Sequence, residues 1–244
     1  MRKMINIHGH MGKTSSGEAA DLSHLVKEMD HCGIELTAIS SLSGIDNKVQ
    51  NDLVYNSKKQ FPERVRALAF INPKAADVHK ELDFRLGEQN FDGVKFHPWK
   101  HGYYSDNTPQ IDEVLMHIEE YGVHCQVHVG TSPLATPFVW IRYAEKHPKI
   151  RLVLTHMGCR EFGYSVLKTV KGIPNIWLET SVIYERDVIE NVREEVGAEH
   201  IVFGTDWPYK STEVEIAKVL KMGLNDEELK KVYYQNAKTL LARK

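Results

Sequence analysis

Short apolar runs rich in β-branched residues alternate with longer segments of helical period along the whole chain. This alternation restricts the fold more than any other feature. The runs are MINIH, ELTAISSL, VRALAFIN, DGVKFH, HCQVHV, RLVLTH, IWLETS and IVFGTD, ending near His8, Ser40, Ile71, His97, His128, His156, Ser181 and Asp206. Their ends are spaced by roughly 25–33 residues, the length that one strand, one helix and two loops require. In 109–121, Ile111, Val114, Leu115, Ile118 and Tyr121 recur at helical spacing and form one apolar face. Pro109 and Pro137 stand where a first helical turn begins, and Gly87 and Gly122 where helices stop. Asn225 is placed to cap a helix over Asp226–Arg243. Eight such units predict an α/β fold, a closed (β/α)8 barrel. An open doubly wound sheet is the rival. Against it, no glycine-rich phosphate turn follows the first run, and polar residues recur at the ends of many runs. A length of 244 residues suits one such barrel, and no linker or composition break divides it, so residues 1–244 are expected to form a single domain.

Strand parity points to a site. Asn6, His8 and His10 share one face of the first strand, while Ile5 and Ile7 take the other. His124, Gln126 and His128 share a face of the fifth, and Val202, Gly204 and Asp206 of the eighth, where Gly204 leaves space below the carboxylate. A barrel strand covered by helices is apolar outside, so these polar positions face inward, and the last of each lies at the C-terminal mouth. That mouth is expected to hold His8, His10, His97, His128, His156 and Asp206. Imidazoles with a carboxylate suit Zn2+, and also Mn2+, Fe2+ or Co2+. Two residues apart on one strand, His8 and His10 are directed at the same ion. His24, His31, His79, His117, His147 and His200 are assigned to the surface.

A formal net charge of −2 without long runs of one sign gives nucleic acid no footprint. No apolar run is long enough to span a membrane. The N-terminal MRKMINIHGH lacks the apolar segment of a secretion signal, and Cys32, Cys125 and Cys159 are an odd, scattered set. A reducing cytoplasm is therefore the expected location. A small-molecule substrate is the expected partner, and a homo-oligomer is compatible with the sequence.

The segments INIHGH, RVRALAFINP, GVKFHP, QVHVG, LTHMG, NIWLETS, FGTDWP and YYQNAKTLL together resemble the amidohydrolase superfamily, in its amidohydrolase-related (amidohydrolase 2) branch. That branch contains metal-dependent hydrolases, lactonases and nonoxidative decarboxylases. The resemblance implies that His8, His10, His128 and Asp206 hold one divalent ion, with Zn2+ expected first. It implies that Asp206 also handles the proton of a bound water, and that His156 acts on substrate or water. Asn6 stands where relatives often have Asp, and the chain is too short for the lid insertions of many decarboxylase relatives.

Hydrolysis of an ester, lactone or amide in a small carboxylated molecule is the first expectation, through metal-activated water. Nonoxidative decarboxylation is the second, with Trp99, Tyr103, Tyr104, Trp207 and Tyr209 flanking the mouth to stack on a planar ring. A catalytically inactive binding barrel is the third. Lys95, His97 and Trp99 are candidate substrate contacts. Lys95 has two further readings: a carbamylated bridge to a second ion, or a partner for Glu179 or another internal acid.

Overall fold

The computed structural model describes residues 3–14, 17, 19–41 and 47–244. Eight parallel strands lie in chain order around a curled sheet: β1 Met4–Lys13, β2 Ile34–Ser41, β3 Val65–Phe70, β4 Gly93–Phe96, β5 His124–Val127, β6 Arg151–Leu154, β7 Ile176–Glu179 and β8 Ile201–Val202. A two-residue strand, Ala19–Ala20, pairs antiparallel with Gly12–Lys13 at the end of β1. Backbone bonds from Ile7 N to Phe203 O (3.1 Å), Asp206 N to His8 O (2.9 Å) and His10 N to Trp207 O (2.9 Å) join the eighth strand's extension to the first. The sheet therefore closes, as the eight-unit pattern predicts. Leu42, the last residue of the second apolar run, lies outside the described residues.

Helices follow the strands, α4 at the mouth and the others around the sheet: α1 Leu22–Cys32, α2 Lys48–Gln60, α3 Val78–Leu82, α4 Pro98–His101, α5 Gln110–Tyr121, α6 Pro137–Lys146, α7 Cys159–Val170, α8 Arg186–Val196, α9 Thr212–Val219, α10 Asp226–Lys230 and α11 Asn236–Leu241. Gly122 ends α5 in the left-handed conformation (φ 59°), which a Cβ disfavours. Asn225 closes a capping box with Glu228 ahead of α10. Gly87 does not stop a helix; α3 runs on into a π-helical turn, Asp83–Glu88, that contains it. The wider turn leaves Arg85 buried against Glu81, Asp52 and Gln89, where its charge and donors are satisfied.

The core lies between sheet and helices. Outward-facing Val94, Phe96, Cys125, Val127, Leu152 and Leu154 are buried there. Trp140 of α6 is fully buried and its ring centre is 5.1 Å from that of Phe96, a pair that anchors one helix to the sheet. His147 was assigned to the surface and is instead buried, because Asp112 accepts from its Nε2 at 2.8 Å.

Inside the barrel, below the mouth, His124 packs against Gly93, where an added Cβ would come within 2.6 Å of its ring. Burial pushes its imidazole down to about 3, with the nearby Arg151 charge adding to the effect. The folded pKa lies below the unfolded value, so the neutral ring contributes stability above pH 6.5 that is lost as the pH falls toward 3. Replacement by a side chain that does not titrate, His124→Gln, is expected to remove about 2 kcal/mol of the stability loss between pH 7 and pH 5. Denaturant unfolding at the two pH values measures this; identical pH dependence in both proteins would exclude the assignment.

Candidate metal centre

The C-terminal ends of β1, β4, β5 and β6 and the segment after β8 converge on one cavity of about 600 Å³, lined among others by His10, Lys95, His97, His128, His156 and Asp206. That volume suits a small organic ligand. Within it, one donor atom from each of His8, His156 and Asp206 lies within 4.8 Å of the other two. His8 is 1% exposed, and its Nε2 is 3.6 Å from Asp206 Oδ1. His10 Nε2 donates to the same oxygen at 3.1 Å, and its Nδ1 meets the Ser40 hydroxyl at 3.1 Å.

Hydrogen bonds fix which nitrogens face the cavity. His8 Nδ1 donates to Glu179 Oε2 at 2.9 Å, which leaves the Nε2 lone pair pointing inward. Glu179 also accepts from the Ser181 hydroxyl at 2.8 Å, so that oxygen is free to accept from His156 Nδ1 at 2.9 Å. His156 Nε2 therefore also carries a lone pair, which accepts from His128 Nδ1 at 3.2 Å. The Thr131 hydroxyl donates to His128 Nε2 at 3.1 Å. One buried carboxylate thus sets the tautomers of two of the converging imidazoles.

Glu179 was not among the site residues read from the sequence, where it figured only as a partner for Lys95. Lys95 Nζ instead donates to His8 Nε2 and to Gln126 Oε1, both at 3.0 Å. The space below Asp206 that Gly204 was expected to leave is filled by Glu179: a Cβ at Gly204 would stand 2.2 Å from its Oε1. The available signal was a charged residue inside the otherwise apolar run IWLE, one strand away from a glycine.

Burial pushes the His8, His10, His128 and His156 imidazoles below their ordinary value, and the Lys95 charge adds to each shift. Neutral imidazoles are the form that binds a metal. Burial also pushes Lys95 down to about 7. It would push Asp206 up, but the His10 hydrogen bond and the neighbouring imidazoles outweigh it and hold the carboxyl well below the usual range. The site therefore presents neutral nitrogens beside an ionised oxygen, the donor chemistry of a borderline divalent ion.

Of the remaining residues expected at the mouth, His97 caps α4 through Nδ1 and stacks on His128 at 3.9 Å. Trp99 is 54% exposed at the rim, and Tyr209 lies 6.1 Å from the His10 ring. Tyr103 is buried, its ring stacked at 6.4 Å on that of His101. Lys13, Lys100 and Lys210 also line the cavity, and none of them was singled out in the sequence. Several residues here hold left-handed backbone: Thr131 (φ 61°), His156 (62°), Met157 (48°), Val182 (70°) and Asp206 (54°). Such conformations are costly for β-branched side chains, and in folded proteins they gather at sites of function.

A family model described as amidohydrolase matches residues 15–243. Gamma-resorcylate decarboxylase from Polaromonas sp. (strain JS666) is 25% identical over 116 residues, a match covering 39% of this chain and 35% of that protein's length. The dihydroxybenzoic acid decarboxylase structure from Polaromonas sp. JS666, with bound manganese and the inhibitor 2-nitroresorcinol, superposes with a TM-score of 0.79 at 18% identity, covering 99% of this chain and 97% of that one. A probable 2-pyrone-4,6-dicarboxylic acid hydrolase from Acinetobacter baumannii, with citric acid bound, gives 0.75 at 17% identity, covering 99% of both chains. These two structures share the fold.

Proposed function

We propose, since this chain belongs to the amidohydrolase family, that it is a metal-dependent decarboxylase of small aromatic carboxylates. The observation that carries this reading is the cavity lining. Among the described residues, four lysines (Lys13, Lys95, Lys100 and Lys210) line the cavity with one carboxylate, Asp206, and with Trp99 and Tyr209 at the rim. Cations favour an anionic ligand, and the two rings offer flat surfaces to a planar one. The sequence alone puts hydrolysis first. The lysines and the partial likeness to a resorcylate decarboxylase reverse that order.

His8, His10 and Asp206 are the proposed metal ligands, with one nitrogen from the hydrogen-bonded His128–His156 pair. Of that pair, His156 is the residue with a ring nitrogen already within 4.8 Å of donor atoms of His8 and Asp206. A divalent ion there supplies positive charge for a substrate oxygen; zinc and manganese both suit the donors. In the proposed reaction Asp206 takes a proton from a substrate hydroxyl and delivers it to the ring carbon that bears the carboxylate. The C–C electron pair remains with the ring, the proton fills the vacated bond, and CO2 leaves. Lys95 and Lys100 hold the anionic substrate, and Trp99 covers its ring.

Incubation with hydroxybenzoates in D2O tests the reading. Release of CO2 with one deuterium at the vacated ring position is the expected result; turnover of lactones or esters without CO2 would establish hydrolysis instead. Hydrolysis has its own support in the same geometry, since an ionised Asp206 among neutral imidazoles can also accept a proton from water. Trp99→Ala is expected to raise KM roughly tenfold with kcat little changed, because an exposed rim side chain contributes binding common to ground and transition states. Steady-state kinetics checks this, and a fall in kcat at constant KM would contradict it.

A further inference from the structure

Away from the mouth, α3 and α5 lie side by side on the outer face, and each contributes one histidine to a second cluster. His79 Nδ1 and His117 Nδ1 are 2.8 Å apart, with their rings stacked at 5.0 Å. Asp83, one turn beyond His79, accepts from His117 Nε2 at 2.8 Å and from the Tyr121 hydroxyl at 2.7 Å. With the proton of His117 committed to Asp83, its Nδ1 carries a lone pair directed at His79. The His79 ring is exposed, so its proton can sit on Nε2 and be shared with water in a hydrogen bond. The two imidazole lone pairs would then face each other, and rotation of the exposed His79 ring lets them converge on one ion. Metal–nitrogen bonds of about 2.0–2.1 Å meeting at 90–109° place their nitrogens about 2.8–3.4 Å apart, close to the spacing already present.

We propose that His79 and His117 form a second, surface site for a borderline divalent transition ion of the zinc, nickel or copper class, independent of the barrel centre. Asp83 is bound to the far nitrogen of His117, so it orients that ligand and does not itself bind. Water completes the coordination. The ion ties α3, where it leads into the π-helical turn, to the middle of α5. Two protein ligands and free access make this a weaker site than the buried one, and one that exchanges its ion readily.

The test uses the protein with its first metal already bound and zinc alone as the probe. Zinc titration by calorimetry, with metal counted after gel filtration in zinc-containing buffer, is expected to show one more ion per chain in the wild type than in His79→Ala or His117→Ala. Zinc at a hundred times its Kd should raise Tm by roughly 5–10 °C in the wild type and not in either variant. Asp83→Asn should keep the ion but bind it roughly tenfold more weakly, as loss of an orienting acceptor does. His79 is exposed and His117 partly buried, so His79→Ala carries the comparison and circular dichroism checks the fold of His117→Ala. Equal zinc counts and equal Tm shifts in wild type and both alanine variants would overturn the site.

Discussion

Asp206→Asn is expected to fold normally, to keep its metal with reduced affinity, and to turn over at least roughly a hundredfold more slowly than wild type. The carboxylate sits where the chain leaves β8, with φ 54°, a conformation that Asn tolerates nearly as well as Asp. The substitution therefore adds little backbone strain, and it keeps an oxygen for His10 Nε2, now 3.1 Å from Asp206 Oδ1. What disappears is the only carboxylate lining the cavity among the described residues, the group proposed to carry the proton. An amide can neither take a proton from the substrate nor return it to carbon. Circular dichroism and metal content report the fold and the centre; kcat reports the loss. Wild-type turnover by the variant would leave Asp206 without a catalytic role.

Removing the Glu179 carboxylate is expected to weaken metal binding by about 10–100-fold, although Glu179 touches no cavity-facing nitrogen. Its side chain is 0% exposed and accepts from His8 Nδ1 and the Ser181 hydroxyl, and through Ser181 it holds His156. In Glu179→Ala His8 Nδ1 loses its acceptor, and the Ser181 hydroxyl, no longer held by Glu179, becomes free to donate to His156 Nδ1, so each imidazole spends part of its time with the wrong nitrogen facing the ion. Glu179→Gln retains one acceptor oxygen and should fall between alanine and wild type. Chelator competition gives the affinities, and 15N shifts of the histidine rings show the tautomers directly. Equal affinity in all three proteins would mean that the centre orients its own ligands. Gly204→Ala is a second route to the same defect, because the new methyl would collide with the carboxylate.

The barrel was legible because its code is local and repeated. A change from period two to period 3.6 in each unit needs no long-range information, and capping residues such as Gly122 and Asn225 mark the ends. Gly87 misled because a single glycine does not reveal whether its helix stops or widens into a π turn, a choice that here buries Arg85. Parity pointed His8, His10, His128 and Asp206 inward; the structure places His10, His128 and Asp206 on one cavity and His8 Nε2 3.6 Å from Asp206 Oδ1, although an irregularity between Asn6 and Gly9 breaks the simple alternation in β1. The wiring among them was not legible. Whether His128 or His156 directs a nitrogen at His8 and Asp206 depends on ring rotations and hydrogen bonds that strand parity leaves open. The linkage of Glu179 to His8 spans 171 positions. The cationic lining escaped for a related reason: Lys13, Lys100 and Lys210 come from different loops, and only barrel closure makes them neighbours.

The proposed chemistry requires a metal held at the mouth of the barrel. Elemental analysis of protein purified without chelators and dialysed into metal-free buffer tests that requirement without any knowledge of the substrate. About one divalent ion per chain is predicted in the wild type, and its loss in His8→Ala. A folded wild-type protein that carries no ion, and takes up none when dialysed against manganese or zinc and then returned to metal-free buffer, would contradict the account.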